Sequence, residues 1–485
     1  MKKFVAKLHE VLDRAYVTNW LGVLLFIILL LRIPSFFEPY YYGDEMIYMD
    51  LGHGVRQGLT LYKDIYDNKP PLLYLTAAVA GNLFMFKAIL AFWNIVTIVI
   101  FWNLARILFE KNEKLQKIST IFFALATTLP TLEGLTVNAE LLMIGPSLMA
   151  FYLLLSGGVN AKKIFFAGFL FGIGALFKIP AAFDLPVIIA YWAITKGFKN
   201  WKEIAKDTLY LSLGFASPIL LTFVWYFLRG ALPEYLKAAF LQNVGYVGSW
   251  GVKIPMIYRA GSVALGSLVI FVFRKKLTNK FILLCLWSLF SLFAVTLSER
   301  PYPHYLIQST APLALLVGML LLQKSIEQSL SVIPLALIAF IPFYYHFYNY
   351  QVGSYYLRFA KFATGRITKS DYFRSFSPNT NRNYEIAKFL TTSSNPNDKV
   401  FVWDNDSPTI YALSRRLPPT KYVADYHVID YSSKDALAQT LLDKKPKFII
   451  TTSNFSFTQI QNLLRSDYLL VQQIENAQIW SRISK

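Results

Sequence analysis

GDEMIYMDLGHGVRQGLTLYKDIYDNKPPLLY, residues 43–74, follows directly on the first long apolar run of the chain, near 20–37. It carries five carboxylates: Asp44, Glu45, Asp50, Asp64 and Asp67. Acids beside a membrane span cost free energy unless they are hydrated, paired or used, so a cluster at a lipid–water boundary marks a candidate site. An ordinary hydrated loop also carries charges. What sets this one apart is its mixture of adjacent acids, a Tyr one turn later, a Gly-punctuated stretch, and then Asn68-Lys69-Pro70-Pro71.

The chain around it is built for lipid. Of 485 residues, 55% are hydrophobic and 16% charged, with a mean hydropathy of +0.40. A soluble protein carries roughly 25% charged residues. About eleven apolar runs recur, near 20–37, 84–104, 118–132, 141–155, 164–177, 181–195, 208–228, 260–273, 281–297, 305–323 and 331–348, several of them short of a full span. The stretch 71–83 reads as a juxtamembrane or partly inserted helix. Residues 1–350 are thus expected to form a polytopic α-helical membrane domain with a catalytic outer loop over 38–83. FYYHFYNY (343–350) marks an interface belt. From 351 to 485 the chain turns polar and predicts a mixed α/β domain. VFVWD (400–404) and KFIITT (447–452) read as buried strands, and YLLVQQI (468–474) with AQIWSRI (477–483) as a hairpin. Helical spacing runs over 381–390, 434–444 and 457–464. No G-x-G-x-x-G follows any of these strands, so nucleotide binding has no support.

The net charge of +19 is distributed against a nucleic-acid reading. One set of alternate connections holds nineteen Lys or Arg and the opposite short loops nine, the bias that orients a chain in a bilayer. The amino terminus is therefore placed in the cytoplasm, and an odd number of spans places the acidic loop and the carboxyl-terminal domain outside. The first span follows Lys2, Lys3, Lys7 and Arg14 but has no small-residue cleavage site before Pro34, so it is expected to remain as an anchor. One cysteine, Cys285, lies in an apolar run, which leaves the outer domain without disulfides. A bacterial or archaeal plasma membrane fits this best.

Three places can carry chemistry. If a helix begins after Gly43, Asp44 and Tyr48 share a face, and the helix dipole favours an ionised Asp44 in the first turn. Such a carboxylate at a wet membrane edge suits a general base, with Glu45 beside it. Lys69, ahead of a rigid Pro-Pro turn, suits an anionic group such as a lipid phosphate, with Asp67 and Asn68 adjoining; snorkelling to head groups is the plainer alternative. In SERPYPHYLIQ (298–308), Glu299, Arg300, His304, Tyr305 and Gln308 crowd one membrane edge, where an Arg fork matches phosphate oxygens. Glu140 in TVNAELL (136–142) reads first as a helix cap, and Lys178 as a lone cation at the outer ends of two spans. His53 is too loose a clue for a metal. No cofactor is called for, and a divalent ion on the acidic loop has no motif behind it.

Gly43-Asp44-Glu45, Tyr48, Gly-x-x-Leu-Tyr-x-Asp (58–64) and Asp-Asn-Lys-Pro-Pro-Leu (67–72) together resemble the first outer loop of GT-C glycosyltransferases. The nearest group is the family that includes protein O-mannosyltransferases and the lipid A aminoarabinose transferase. Arg-Pro-x-Pro-His-Tyr (300–305) resembles a late outer loop of the same superfamily. That family moves a sugar from a polyprenyl-phosphate carrier to an acceptor on the outer face. The resemblance implies Asp44 as base, Lys69, Arg300 and His304 as receivers of the carrier phosphate, and Tyr48, Asp67, Asn68, Glu140, Glu299 and Tyr305 as substrate-binding residues. Asn68 stands where relatives acting on lipid A carry Glu.

The resulting expectation is an inverting glycosyltransferase that passes a monosaccharide from a polyprenyl-phosphate donor to a lipid, glycan or protein acceptor. A solute transporter is the first rival, but transporters show internal repeats and midplane acids, and here the ionisable residues gather at one edge. A non-catalytic sensor with an outer ligand-binding domain is the other. The charge bias makes a direct prediction: with an impermeant thiol reagent, a cysteine introduced near position 420 is labelled in intact cells and one near 200 is spared. The reverse pattern would put the acidic loop in the wrong compartment.

Overall fold

Each apolar run carries a helix in the computed structural model, which describes residues 16–243, 254–297, 300–453 and 457–483. Among these residues, seven helical stretches are long and apolar enough to cross a membrane: Asn19–Phe37, Leu83–Leu108, Ile179–Lys196, Trp201–Leu228, Met256–Lys276, Pro303–Leu322 and Ile326–Tyr344. Ala139–Leu155 and Asn279–Val295 are apolar but shorter. The expected count of eleven is therefore not reached by this measure. Glu113–Ala126 shows why: its helix stops in Thr127-Thr128, and Pro130 opens a short 3-10 turn instead of a further helical turn.

By contact, the chain falls into two compact units: Met1–Ser35, Lys87–Trp225 and Asn243–Val352 in one, Phe36–Phe86, Tyr226–Gln242 and Gly353–Lys485 in the other. Among its described residues, the regular elements of the first are all helical. One close crossing sets Ala161–Phe177 against Trp201–Leu228. A Cβ on Gly168 would lie 2.0 Å from the Leu211 carbonyl oxygen, and one on Gly214 would lie 1.9 Å from the Phe165 carbonyl oxygen. With no hydrophobic drive between helices in lipid, backbones held this close gain packing that larger residues forbid.

The second unit begins with α1 (Gly43–Arg56) and α2 (Leu72–Ala80). Gly52 lets them touch, since a Cβ there would be 2.6 Å from the Ala78 nitrogen. Further on, α3 (Thr380–Ser393), α4 (Ser407–Ser414), α5 (Asp425–Tyr431), α6 (Lys434–Lys444) and α7 (Gln461–Asp467) surround a four-stranded sheet of β1 (Val400–Trp403), β2 (Phe448–Thr452), β3 (Tyr468–Ile474) and β4 (Ala477–Arg482). The strand order is β1-β2-β4-β3. β1 and β2 run parallel with Val400 opposite Phe448, and both are almost wholly buried, as parallel strands covered on two faces must be. β3 and β4 form the expected hairpin across Glu475-Asn476. The core gathers Phe401, Trp403, Leu441, Ile449 and Leu463.

The helix crossing of the first unit is testable. Replacing either Gly168 or Gly214 by Ala should cost about 1–3 kcal/mol, the usual penalty of overpacking, read as a lower thermal unfolding midpoint in detergent. A change at the lipid-facing, exposed Leu221 should leave that midpoint in place.

Candidate functional site

α1 starts where extended Tyr42 hands over to Gly43, and its first turn holds Asp44 and Glu45. Met46, Ile47, Met49 and Leu51 are buried, which turns the two acids to different surroundings. Asp44 keeps 34% of its side chain exposed, whereas Glu45 is buried. The Tyr48 hydroxyl donates to Asp44 Oδ2 at 2.9 Å, the one-turn pairing that the spacing predicts. Burial, and after it the Asp44 charge, raises the Tyr48 pKa well above that of an ordinary phenol. Tyr48 therefore remains a proton donor that aims the carboxylate.

Lys69 approaches from the other end of the segment. Its Nζ lies 3.7 Å from Asp44 Oδ2, 3.6 Å from Asp67 Oδ2 and 5.0 Å from the Tyr48 ring centroid. Its backbone is pinned on both sides: the nitrogen donates to the Tyr74 hydroxyl at 3.0 Å, and the carbonyl accepts from the Tyr62 hydroxyl at 2.9 Å. Tyr62 itself sits at φ 74, a left-handed conformation that a bulky residue adopts at a cost. It is held there with its ring buried 5.3 Å from Tyr226 and 5.1 Å from Tyr235.

Asp67 is the buried hub. The Asn68 nitrogen donates to Oδ1 at 2.7 Å, the Tyr74 hydroxyl to Oδ2 at 2.8 Å, and His427 Nε2 of α5 lies 3.3 Å from Oδ1. Burial by itself would push this carboxyl up; Lys69, His427 and Tyr74 outweigh it and hold it well below the usual carboxylate range. Around it, the Tyr66 ring meets Tyr422, Tyr431 and His427, and Asn68 Nδ2 donates to the Tyr431 hydroxyl at 3.2 Å.

A second cluster lies in the first unit. Glu140, in the first turn of its helix, is buried and ion-paired with Lys178, whose Nζ is 4.3 Å from the Tyr305 ring centroid. Lys178 is therefore not the lone cation expected from sequence. His304 Nδ1 hydrogen-bonds the Glu133 carboxylate, and its Nε2 lies 3.7 Å from Glu140 Oε1. Both ring nitrogens thus face carboxylates. Gln308 donates to the Pro180 carbonyl at 2.9 Å. Arg300 opens the segment, its carbonyl accepting from the Tyr302 nitrogen; Glu299 lies outside the described residues.

The expected site residues accordingly fall into two groups, each within its own unit. Asp44, Glu45, Tyr48, Asp67, Asn68 and Lys69 belong to the second, and Glu140, Arg300, His304 and Tyr305 to the first. Sequence reasoning missed Tyr62, Tyr74, His427 and Glu133. Tyr74, seven residues after Asp67 in the helix that Pro70-Pro71 starts, had a local signal; His427, hundreds of residues away, had none. His53 sits against the Arg415 carbonyl and Gln57. Among the described residues no three His, Cys, Asp or Glu side chains are grouped as a metal ion would require.

Comparison with known proteins adds the fold. Residues 379–481 match the family model described as "Putative competence-induced protein Ccs4 C-terminal domain". No curated protein matches the chain by sequence. Among solved structures, ArnT from Cupriavidus metallidurans bound to undecaprenyl phosphate is similar with a TM-score of 0.60 at 13% identity, over 96% of this chain and 99% of that one. The same protein in its apo state is similar with a TM-score of 0.58 at 13% identity, over 96% and 98%. The chain has the GT-C fold, as a multi-pass membrane protein with a carboxyl-terminal α/β domain.

Two carboxylates of the second unit should respond to pH with opposite sign. Asp50 is buried on α1 with Oδ2 lacking a hydrogen-bond partner, and burial raises its pKa well above the usual value. Such a group ionises more readily unfolded, so it costs stability as pH rises above about 4. Asp67, depressed, contributes stability that is full above about pH 4 and is lost only as pH falls through its folded value. By thermal unfolding at pH 7, Asp50→Asn should therefore stabilise, and Asp67→Asn should destabilise by roughly 3–5 kcal/mol, as expected for one partner taken from a buried ion pair. Equal responses would contradict this electrostatic picture.

Proposed function

We propose that this chain is a membrane glycosyltransferase that moves a monosaccharide from a polyprenyl-phosphate carrier to an acceptor on the outer face of the plasma membrane. The observation that carries the reading is Asp44: a carboxylate one-third exposed, aimed by Tyr48 and 3.7 Å from the Lys69 ammonium, on a GT-C fold. ArnT, which shares that fold, was solved with undecaprenyl phosphate bound, which supports a lipid-phosphate donor.

The chemistry follows from these groups. The acceptor O–H or N–H gives its proton to Asp44 as the nucleophile attacks the anomeric carbon. The bond from that carbon to the phosphate oxygen breaks, and its electron pair leaves on the polyprenyl phosphate. Attack opposite the leaving group inverts the anomeric centre. Lys69 stabilises the charge that develops on the phosphate, and Asp67 with Tyr62 and Tyr74 holds Lys69 in place. Glu45, buried beside Asp44, is not given the base role. To Arg300 we assign donor-phosphate recognition. His304, with both nitrogens against carboxylates, is assigned to holding Glu133 and Glu140 rather than to touching the phosphate. The acidic loop and α/β domain face outward, as the Lys/Arg bias implies.

In nanodiscs, the purified chain should consume polyprenyl-phosphate sugars and leave nucleotide sugars untouched. Asp44→Asn should lower transfer by about 10²–10⁴-fold with donor-lipid binding retained, and Arg300→Ala should weaken donor use more than acceptor use. Near-normal turnover in Asp44→Asn would remove it as the base. Consumption of nucleotide sugars alone would reject the reading.

A further inference from the structure

Within the second unit, the loop 59–65 and the segment 417–422 line a cleft of about 540 Å³, in the size range of ligand sites. Four cations line it, Lys63, Lys399, Lys421 and Lys444, against one acid, Asp64. Carbonyls and rings steady three of them: Lys63 Nζ donates to the Gly230 carbonyl at 3.2 Å, Lys444 Nζ to the Pro419 carbonyl at 3.0 Å, and Lys421 Nζ lies 5.3 Å from both the Tyr66 and Tyr422 centroids. Among the described residues none of the four is in an ion pair. Like charge is left partly uncompensated. Burial and then Lys444 lower the Lys399 pKa, and burial and then Lys237 lower that of Lys421.

This concave concentration of ammonium groups calls for a polyanion. The neutral polar groups of its wall include the hydroxyls of Thr420, Ser432 and Thr440, which suit sugar or polyol oxygens. Lysine, a hydrated point charge, meets scattered phosphates without a fixed fork geometry. Single-stranded nucleic acid would need an aromatic platform for its bases. The one aromatic in the lining, Tyr422, has its ring packed edge-on with Tyr66 and overlain by Lys421. The cleft wall is tied to the segment that bears Lys69: the Tyr66 nitrogen, one residue before Asp67, donates to the Lys421 carbonyl at 2.9 Å.

We infer that this cleft docks an anionic, phosphate-ester-bearing glycan or polyol polymer. On the transferase reading, that polymer is the acceptor, and this last clause rests on that reading. The full chain in phosphatidylcholine nanodiscs should bind short poly(glycerol phosphate) by calorimetry, more tightly than inorganic phosphate or neutral dextran. Lys63→Gln/Lys399→Gln should weaken binding at least tenfold and reduce the slope of log affinity against log salt by about 2, near one per lost phosphate contact. Lys63→Arg/Lys399→Arg should retain binding, separating charge from packing. Unchanged affinity in the Gln pair, no binding of the polymer, or tighter binding of an oligodeoxynucleotide would each overturn the inference. Preference for phosphatidylglycerol vesicles over the soluble polymer would also overturn it, by making the cleft a lipid-headgroup site. Asp44→Asn should bind the polymer normally. Polymer binding with no transfer from any lipid-phosphate sugar retires the transferase reading and leaves the cleft, whereas transfer to a neutral acceptor without polymer binding retires the cleft alone.

Discussion

One buried charge, that of Asp67, organises the second unit. A carboxylate taken out of water is costly unless it is both paired and hydrogen-bonded. Asp67 is given a backbone N–H, a phenol, an imidazole and an ammonium, contributed from residues 68, 74, 427 and 69. These donors come from three local structures, so satisfying this charge draws the post-α1 loop, the start of α2 and α5 into one arrangement. Lys69 then stands at a fixed distance from Asp44, and the exposed carboxylate is defined by the buried one.

The membrane part rests on a different principle. Its helices have no hydrophobic reason to prefer one another over lipid, and the backbone-to-backbone approach at Gly168 and Gly214 supplies contact instead. Several polar groups inside it are paired. Lys87 donates to the Leu135 carbonyl and Arg32 to that of Thr127, while Glu140 is ion-paired with Lys178 and faces His304 Nε2.

Local rules read much of this chain. Asp44 and Tyr48 meet because four residues make a helical turn, and the hairpin at 475–476 and strands at 400 and 448 were legible because short β-rich apolar runs and turn residues are short-range signals. Pairings across sequence were not. Nothing in the alternation around 425–431 says that His427 will meet Asp67, and Lys178 looks solitary until Glu140, thirty-eight positions earlier, folds against it. Helix length falls short of the apolar run for a related reason: apolar composition continues through 118–132, yet threonines and Pro130 end the helix at Ala126. The two-unit grouping, with 36–86 and 226–242 joined to 353–485, depends on contacts and leaves no mark on hydropathy.

Tyr62 ties these layers together. A left-handed tyrosine stores on the order of 1–3 kcal/mol of backbone strain, balanced here by burial of its ring against Tyr226 and Tyr235. Its hydroxyl at the same time anchors the Lys69 carbonyl. The position of Lys69 and the seating of residues 226–235 are therefore thermodynamically linked, and linkage is reciprocal. Whatever loosens 226–235 lets the backbone at Tyr62 relax and releases Lys69; whatever fixes Lys69 tightens 226–235 in return.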